Sequence, residues 1–189
     1  MTEKEVLKIF DKYNALLTGH FRLSSGLHSE KYLQCALVLQ YPDVAQELSK
    51  ALLEKFNKIK IDVVIGPALG GITLAYEVAR ASGVRGLFTE RQESKMVLRR
   101  GFSIKAGEKV LVVEDVITTG GSTKEVIDVV KAQGGIVVGV GSIIDRSGGK
   151  IDFGAPFQSL AKIEVETFKE EACPLCKSGT SITKPGSRK

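Results

Sequence analysis

A chain of 189 residues, 43% apolar and 26% charged, suits one domain with a sizeable core and is too apolar for general disorder. No apolar run nears the roughly 20 residues of a membrane helix, residues 1–10 alternate charged and apolar groups unlike a secretory leader, and three cysteines do not make a disulfide framework, so a cytoplasmic protein is expected. The formal net charge of +5 fits either a solvated, lysine-rich surface or a site for an anionic ligand or nucleic acid, and does not choose between them.

No internal repeat or low-complexity segment interrupts the chain. Residues 2–17 read as an amphipathic helix with Val6, Ile9, Phe10, Tyr13 and Leu17 on one face. Extended pieces flank Gly19 and Gly26. Pro42 stands where a first helical turn tolerates it, and Val44, Leu48, Leu52 and Phe56 recur at helical spacing. Residues 61–65, apolar apart from Asp62, read as a strand buried on both faces. The turn Gly66-Pro67-Ala68-Leu69-Gly70-Gly71 leads to a helix ending near Gly83. Residues 85–89 form a second strand, and 91–100 read as a polar, basic loop. A strand at 109–113, a Gly/Thr turn, a helix from about 122 to 133 ended by Gly134-Gly135, and a strand at 136–144 follow. A last strand, a helical turn and a loose tail occupy 157–189. This order predicts an α/β fold, a mostly parallel twisted sheet flanked by helices. Residues 1–189 form one domain, with residues 58–150 as the core sheet and 1–40 and 155–189 contributing a small cap.

Open sheets of this kind bind ligands beyond the carboxyl ends of their strands. There the chain reads Glu114-Asp115-Val116-Ile117-Thr118-Thr119-Gly120-Gly121-Ser122-Thr123. Two glycines let backbone N–H groups turn toward one point. Thr118, Thr119 and Thr123 add hydroxyl donors, and the following helix aims its positive end at the same place. The result is an anion cradle sized for a phosphate. The acids before it would repel a phosphate and are better placed to accept from sugar hydroxyls. A glycine-rich turn with surface acids is the plainer alternative, but two acids, a Thr/Gly run and a helix in this order favour a ligand. Neither the Walker nor the Rossmann glycine pattern is present.

Residues 110–123 resemble the signature of the type I phosphoribosyltransferases, which use phosphoribosyl pyrophosphate. The resemblance implies that Glu114 and Asp115 hold the ribose 2- and 3-hydroxyls, and that residues 116–122 lie along the phosphoribosyl group, with 118–122 on the 5-phosphate. Over nearly the full length the chain is similar to the orotate-using branch of that family. Gly19-His20-Phe21-Arg22-Leu23-Ser24-Ser25-Gly26, the Gly66–Gly71 turn, Glu90-Arg91 through Lys95, Asp145-Arg146 and Lys184-Pro185-Gly186-Ser187-Arg188 carry this likeness. By it, orotate meets Arg146, Thr118, Ser25, Gly26 and Tyr32. A two-pronged bond from Arg146 to the orotate carboxylate suits both groups. A surface arginine, a tight turn and a core tyrosine are the plainer alternatives.

The same likeness makes Leu69 and Gly70 part of a diphosphate-binding loop with a cis or strained Ala68–Leu69 peptide. It makes residues 91–100 a mobile loop that closes over the diphosphate, often that of a neighbouring subunit, with Arg91 and Lys95 on the ligand. Lys95, Glu114 and Asp115 are the implied catalytic residues. Lys95 neutralises the departing pyrophosphate, and the acids position the ribose and support positive charge at C1. Magnesium travels with the substrate, with no direct side-chain ligand. A homodimer is implied, with no nucleic acid or membrane partner. The chain departs from the family at Ser24 and Gly70, where many relatives carry lysine, and at Val97, where many carry histidine; Arg99 or Arg100 is the candidate replacement.

Cys173-Pro-Leu-Cys176 has the spacing of half a zinc site, which needs four ligands. Cys35, His20 and His28 are the only other Cys or His candidates, and none is paired with another at ligand spacing. The cysteine pair is therefore read as buried or idle thiols, and His20 as structural.

Overall fold

The computed structural model describes residues 1–23 and 25–185. Ser24 and residues 186–189 lie outside them, and with these the end of the Lys184–Arg188 segment. Helix α1 (Glu3–Lys12) starts in a capping box, in which Glu5 Oε2 accepts from the Thr2 amide at 2.7 Å and Thr2 Oγ1 accepts from the Glu5 amide. It ends earlier than its apolar period suggests, because Asn14 takes φ 49° and turns the chain into strand β1 (Leu16–Arg22). Strand β2 (His28–Leu33) pairs antiparallel with β1. A short α2 (Ala36–Leu39) leads to α3 (Pro42–Glu54), which has Pro42 in its first turn.

The central sheet then forms from β3 (Val63–Pro67), β4 (Arg85–Gln92), β5 (Lys95–Leu98), β6 (Lys109–Ile117), β7 (Ile136–Asp145) and β8 (Phe157–Lys162), in the order β5-β4-β3-β6-β7-β8. All neighbours are parallel except β4 and β5. Helix α4 (Gly70–Ser82) joins β3 to β4, and α5 (Gly121–Ala132) joins β6 to β7. Alternation along the strands explains their continuous apolar runs. Val110 and Val112 of β6 join Val63, Ile65 and α5 residues Val126, Ile127 and Val130 on one face. Leu111 and Val113 join Val64, Leu48 and Leu52 of α3, and Leu74 and Val78 of α4 on the other. Each such side chain contributes about 1.5–3 kcal/mol of burial.

From β3 the chain steps outward to β4, and from β6 it steps the opposite way to β7. The sheet therefore reverses direction between β3 and β6, with α4 and α5 on opposite faces. This reversal opens a crevice beyond the carboxyl ends of β3 and β6, where α/β sheets seat their ligands.

Two expectations are corrected. Residues 91–100 are not a loop. The strand β4 runs on to Gln92, turns through Glu93 and Ser94 at φ 50° and 68°, and returns as β5 with Gln92 opposite Lys95. This is a two-residue hairpin with both turn residues left-handed. The C-terminal segment is also tied down. After β8 come a 3₁₀ turn (Glu170–Ala172) and α6 (Pro174–Lys177). Bridges from His28 to Phe168 and from Phe21 to Thr183 lay this segment against the β1–β2 hairpin.

Candidate active site

The turn after β3 is packed tightly against the end of β6. The Ala68–Leu69 peptide is cis, in line with the expectation for this turn. The Ala68 amide donates to the Thr89 carbonyl of β4 at 2.7 Å. Leu69 projects outward, 73% exposed. A Cβ on Gly70 would lie 2.8 Å from both carboxylate oxygens of Asp115. The absence of a side chain at position 70, where the family often has lysine, therefore has a local cause: the Asp115 carboxylate fills that space.

At the end of β6 the acid pair is held by the protein. Thr123 is fully buried, and its hydroxyl donates to Glu114 Oε2. Thr123 is thus not a phosphate donor, as its place in the cradle suggested. It sits in the first turn of α5 with its side chain turned in under β6. Asp115 accepts from the Val116 amide at 3.0 Å. Burial pushes its carboxyl above the usual range, against the lowering effect of backbone N–H groups from Val116 and Asp115 itself. Val116 and Ile117 carry β6 up to the edge of the cradle. They extend β6 opposite Ile144 and Asp145 of β7, and Ile117 is fully buried. Two β-branched residues continue the ladder instead of opening the loop. The cradle proper is Thr118, Thr119 and Gly120, the last at φ 71°, followed by Gly121 and Ser122 in the first turn of α5. Thr118 and Thr119 are exposed, and no side chain caps α5. The helix therefore presents its positive end toward the crevice.

Beside the cradle, the Arg146 amide donates to the Ile117 carbonyl at 2.8 Å, which fixes this residue at the end of β7. Asp145 does not pair with Arg146; it accepts from the Ser147 amide at 2.8 Å. The Arg146 guanidinium is half-enclosed, and its Nε is sealed from solvent without a hydrogen-bond partner among the described residues. Burial lowers its pKa, partly offset by Tyr32. Tyr32, half-buried on β2, is raised by burial first and then by Asp115 and Cys35, with Arg146 opposing. The fold thus brings Tyr32, Asp115 and Arg146 to one place, and the Tyr32 ring also packs 5.6 Å from that of Phe21.

Other candidates stand apart from this group. Ser25 and Gly26 form the exposed tip of the β1–β2 hairpin. The Gly26 amide donates to the Leu23 carbonyl at 2.9 Å, and Leu23 and Leu27 close the turn. Arg91 is engaged with Glu125 of α5 at 2.8 Å and with the Ser94 carbonyl. Arg99 and Arg100 pair with Glu90 at 3.3 and 3.0 Å, so the suggested replacements for missing charge are already bound. Lys95 is exposed where β5 leaves the turn, on the carboxyl side of β4. Val97 lies two residues on, within the same edge strand.

The site residues stand on elements also seen in known proteins. A model of the phosphoribosyl transferase domain matches residues 37–175. The chain is 60% identical over 189 residues, the whole of both chains, to orotate phosphoribosyltransferase of Caldanaerobacter subterraneus subsp. tengcongensis, and 57% identical over the whole of both chains to that of Caldicellulosiruptor bescii. Among solved structures, orotate phosphoribosyltransferase from Aeropyrum pernix is similar with a TM-score of 0.69 and 28% identity, covering 83% of this chain and 93% of that one. The chain belongs to the orotate phosphoribosyltransferases, within the type I phosphoribosyltransferase family.

Proposed function

We propose that this protein transfers the 5-phosphoribosyl group of phosphoribosyl pyrophosphate to orotate, giving orotidine monophosphate and pyrophosphate in pyrimidine biosynthesis. The observation that carries the base assignment is Arg146, whose half-enclosed guanidinium has a sealed Nε without an acceptor, close to Tyr32. Such a group suits a planar, carboxylate-bearing base.

The reaction needs little covalent chemistry from the chain. The C1–O bond to pyrophosphate breaks, orotate N1 bonds to C1, and positive charge builds on the sugar between the two events. Asp115 and Glu114 accept from the ribose hydroxyls and lie on the side where that charge develops. Thr118, Thr119, Gly120, Gly121 and Ser122 hold the 5-phosphate through hydroxyls and backbone N–H groups. Leu69 and Gly70 supply backbone to the diphosphate. Arg146, Thr118 and Tyr32 meet the base, and the Ser25–Gly26 tip, which stands apart in the free chain, is given to its ring edge by the family likeness. The chain's contribution is position, charge neutralisation and exclusion of water.

Magnesium fits this arrangement, because Glu114, Asp115, Thr118, Thr119 and Ser122 offer hard oxygens and neither thiol nor imidazole lies among the cradle residues. The ion would supply positive charge against the leaving diphosphate, with Glu114 and Asp115 beside it. Lys95 completes that neutralisation from the β4–β5 hairpin. Its exposed edge position suits action across a homodimer, on the diphosphate of the neighbouring subunit. No helix among the described residues is long and apolar enough to cross a membrane, and the reading places the enzyme in the cytoplasm.

The test is a purified-protein assay with phosphoribosyl pyrophosphate and magnesium, following loss of orotate absorbance with adenine, hypoxanthine and uracil in parallel. Magnesium-dependent consumption of orotate alone is expected. Turnover of another base with orotate inert would overturn the base assignment and leave the sugar site standing.

A further inference from the structure

Cys173 and Cys176, read from the sequence as buried or idle thiols, gain two histidine neighbours on folding. His20 of β1 and His28 of β2 stand side by side across the antiparallel hairpin, and α6 delivers both cysteines to them. His20 Nε2 lies 3.1 Å from His28 Nδ1, 3.5 Å from Cys173 Sγ and 3.7 Å from Cys176 Sγ. His28 Nδ1 lies 3.2 Å from Cys176 Sγ. All four ligand atoms fall within 4.8 Å of one another. We propose that His20, His28, Cys173 and Cys176 bind one Zn²⁺ ion, which clamps the C-terminal segment to the β1–β2 hairpin.

Four of the six separations between ligand atoms are close to the edges of a tetrahedron, and the other two fall within 4.8 Å. With Zn–N about 2.05 Å and Zn–S about 2.3 Å, the edges of an ideal tetrahedron are about 3.3 Å for N···N, about 3.6 Å for N···S and about 3.8 Å for S···S. The four measured separations follow this pattern within a few tenths of an ångström.

Proton bookkeeping points the same way. His20 Nδ1 lies 2.8 Å from the Thr180 carbonyl oxygen, which can only accept. Nδ1 therefore carries the proton, and Nε2 offers a lone pair to the centre of the cluster. This outer bond sets the tautomer and aims the ring, as is usual for a metal-bound histidine. Without a cation, that single lone pair faces three neighbours: one imidazole nitrogen and two thiols. A metal ion at the centre accepts one electron pair from each of the four groups.

Two thiolates and two imidazoles in a tetrahedron select zinc over magnesium or calcium. Four protein ligands leave no open position, so the site is structural and not catalytic. His20, His28 and Cys173 are 3%, 2% and 0% exposed, which also suits a closed site. A need for such a site is visible in the surrounding elements. The C-terminal segment has a three-residue 3₁₀ turn, a four-residue helix and two isolated bridges to the hairpin. Elements this short do not hold themselves, and zinc binding energy becomes folding energy in such segments. The hairpin tip with Ser25 and Gly26 lies between the two histidines in sequence. The ion therefore also steadies the loop given to the base under the proposed reaction.

The test is metal content of protein purified without chelator or histidine tag. One zinc per chain is expected, and cobalt replacing it should give thiolate-to-cobalt charge-transfer absorption and intense visible bands of a tetrahedral ion. Cys176→Ser and His28→Ala should each reduce bound metal at least tenfold, while Cys35→Ser keeps one equivalent. Should the variants fail to fold, the wild-type stoichiometry and cobalt spectrum decide alone. Wild-type protein that stays metal-free after dialysis against zinc, a Cys173–Cys176 disulfide in its place, or bound metal insensitive to both substitutions would overturn the proposal. None of these readouts depends on which base the enzyme uses.

Discussion

The two ends of strand β6 are built from the same residue types and used in opposite ways. At the amino end the carboxylates are paired, Asp62 with Lys60 and Glu108 with Arg85. Asp62 accepts from the Lys109 amide at 2.9 Å and pairs with Lys60 at 3.2 Å, which holds its carboxyl below the usual range. Both carboxylate oxygens of Glu108 accept from Arg85 Nη2, and Oε2 also accepts from the Lys105 amide. At the carboxyl end, Asp115 is pushed above the usual range by burial, and Arg146 Nε is sealed without a partner. One end consolidates the sheet. The other holds charged groups ready for a ligand, at a cost to the free protein.

Breaking the working end should have the larger effects. Lys95→Ala should lower kcat about 10²–10³-fold with little change in substrate binding, measured by steady-state kinetics, because its role is charge neutralisation as pyrophosphate departs. An unchanged kcat would reject that role. Arg146→Ala removes a charged hydrogen-bond donor worth about 1.5–3 kcal/mol. It should raise KM for orotate about 10–100-fold and leave KM for phosphoribosyl pyrophosphate nearly unchanged. Gly70→Ala places a methyl group against the Asp115 carboxylate. It should cost about tenfold in kcat/KM by displacing that carboxylate, with correct folding checked by circular dichroism.

The smallest effect belongs to the consolidating end. The Asp62 carboxyl is lowered in the folded state, so its contribution is present above the unfolded carboxylate pKa near 3.9 and is lost as pH falls through the folded value. Asp62→Asn should therefore lower Tm slightly at pH 7 and not in acid, with activity intact. Thermal melts at both pH values check this.

The sheet was legible because strands buried on both faces carry apolar runs: residues 110–113 are continuously apolar, and 136–144 are interrupted only by Gly139, Gly141 and Ser142. The cradle was legible because the acids, Thr118–Gly121 and the helix start are contiguous. Its details were not. Val116 and Ile117 continue the ladder, as their β-branched side chains allow, and Thr123 turns inward to hold Glu114. The β4–β5 hairpin escaped notice because Glu93-Ser94 lacks the Asn or Gly that usually marks such a turn. The His–Cys cluster was hidden for a different reason. His20 and His28 become neighbours only by strand pairing, and the cysteines lie some 145 residues further on. The Cys-x-x-Cys spacing was the sole local signal, and a second pair could not be found by spacing within a single segment.

The most direct test of the account is Asp115→Asn, assayed for orotate-dependent pyrophosphate release and melted at pH 7 and in acid. Burial raises this carboxyl, so ionisation destabilises the fold: the penalty is absent below the unfolded pKa and complete above the folded one. The variant should lose at least about 10²-fold in kcat/KM. It should also melt higher than wild type at pH 7, with the gain fading in acid. Wild-type turnover in Asp115→Asn would contradict the assignment of the β6 carboxyl end as the catalytic centre.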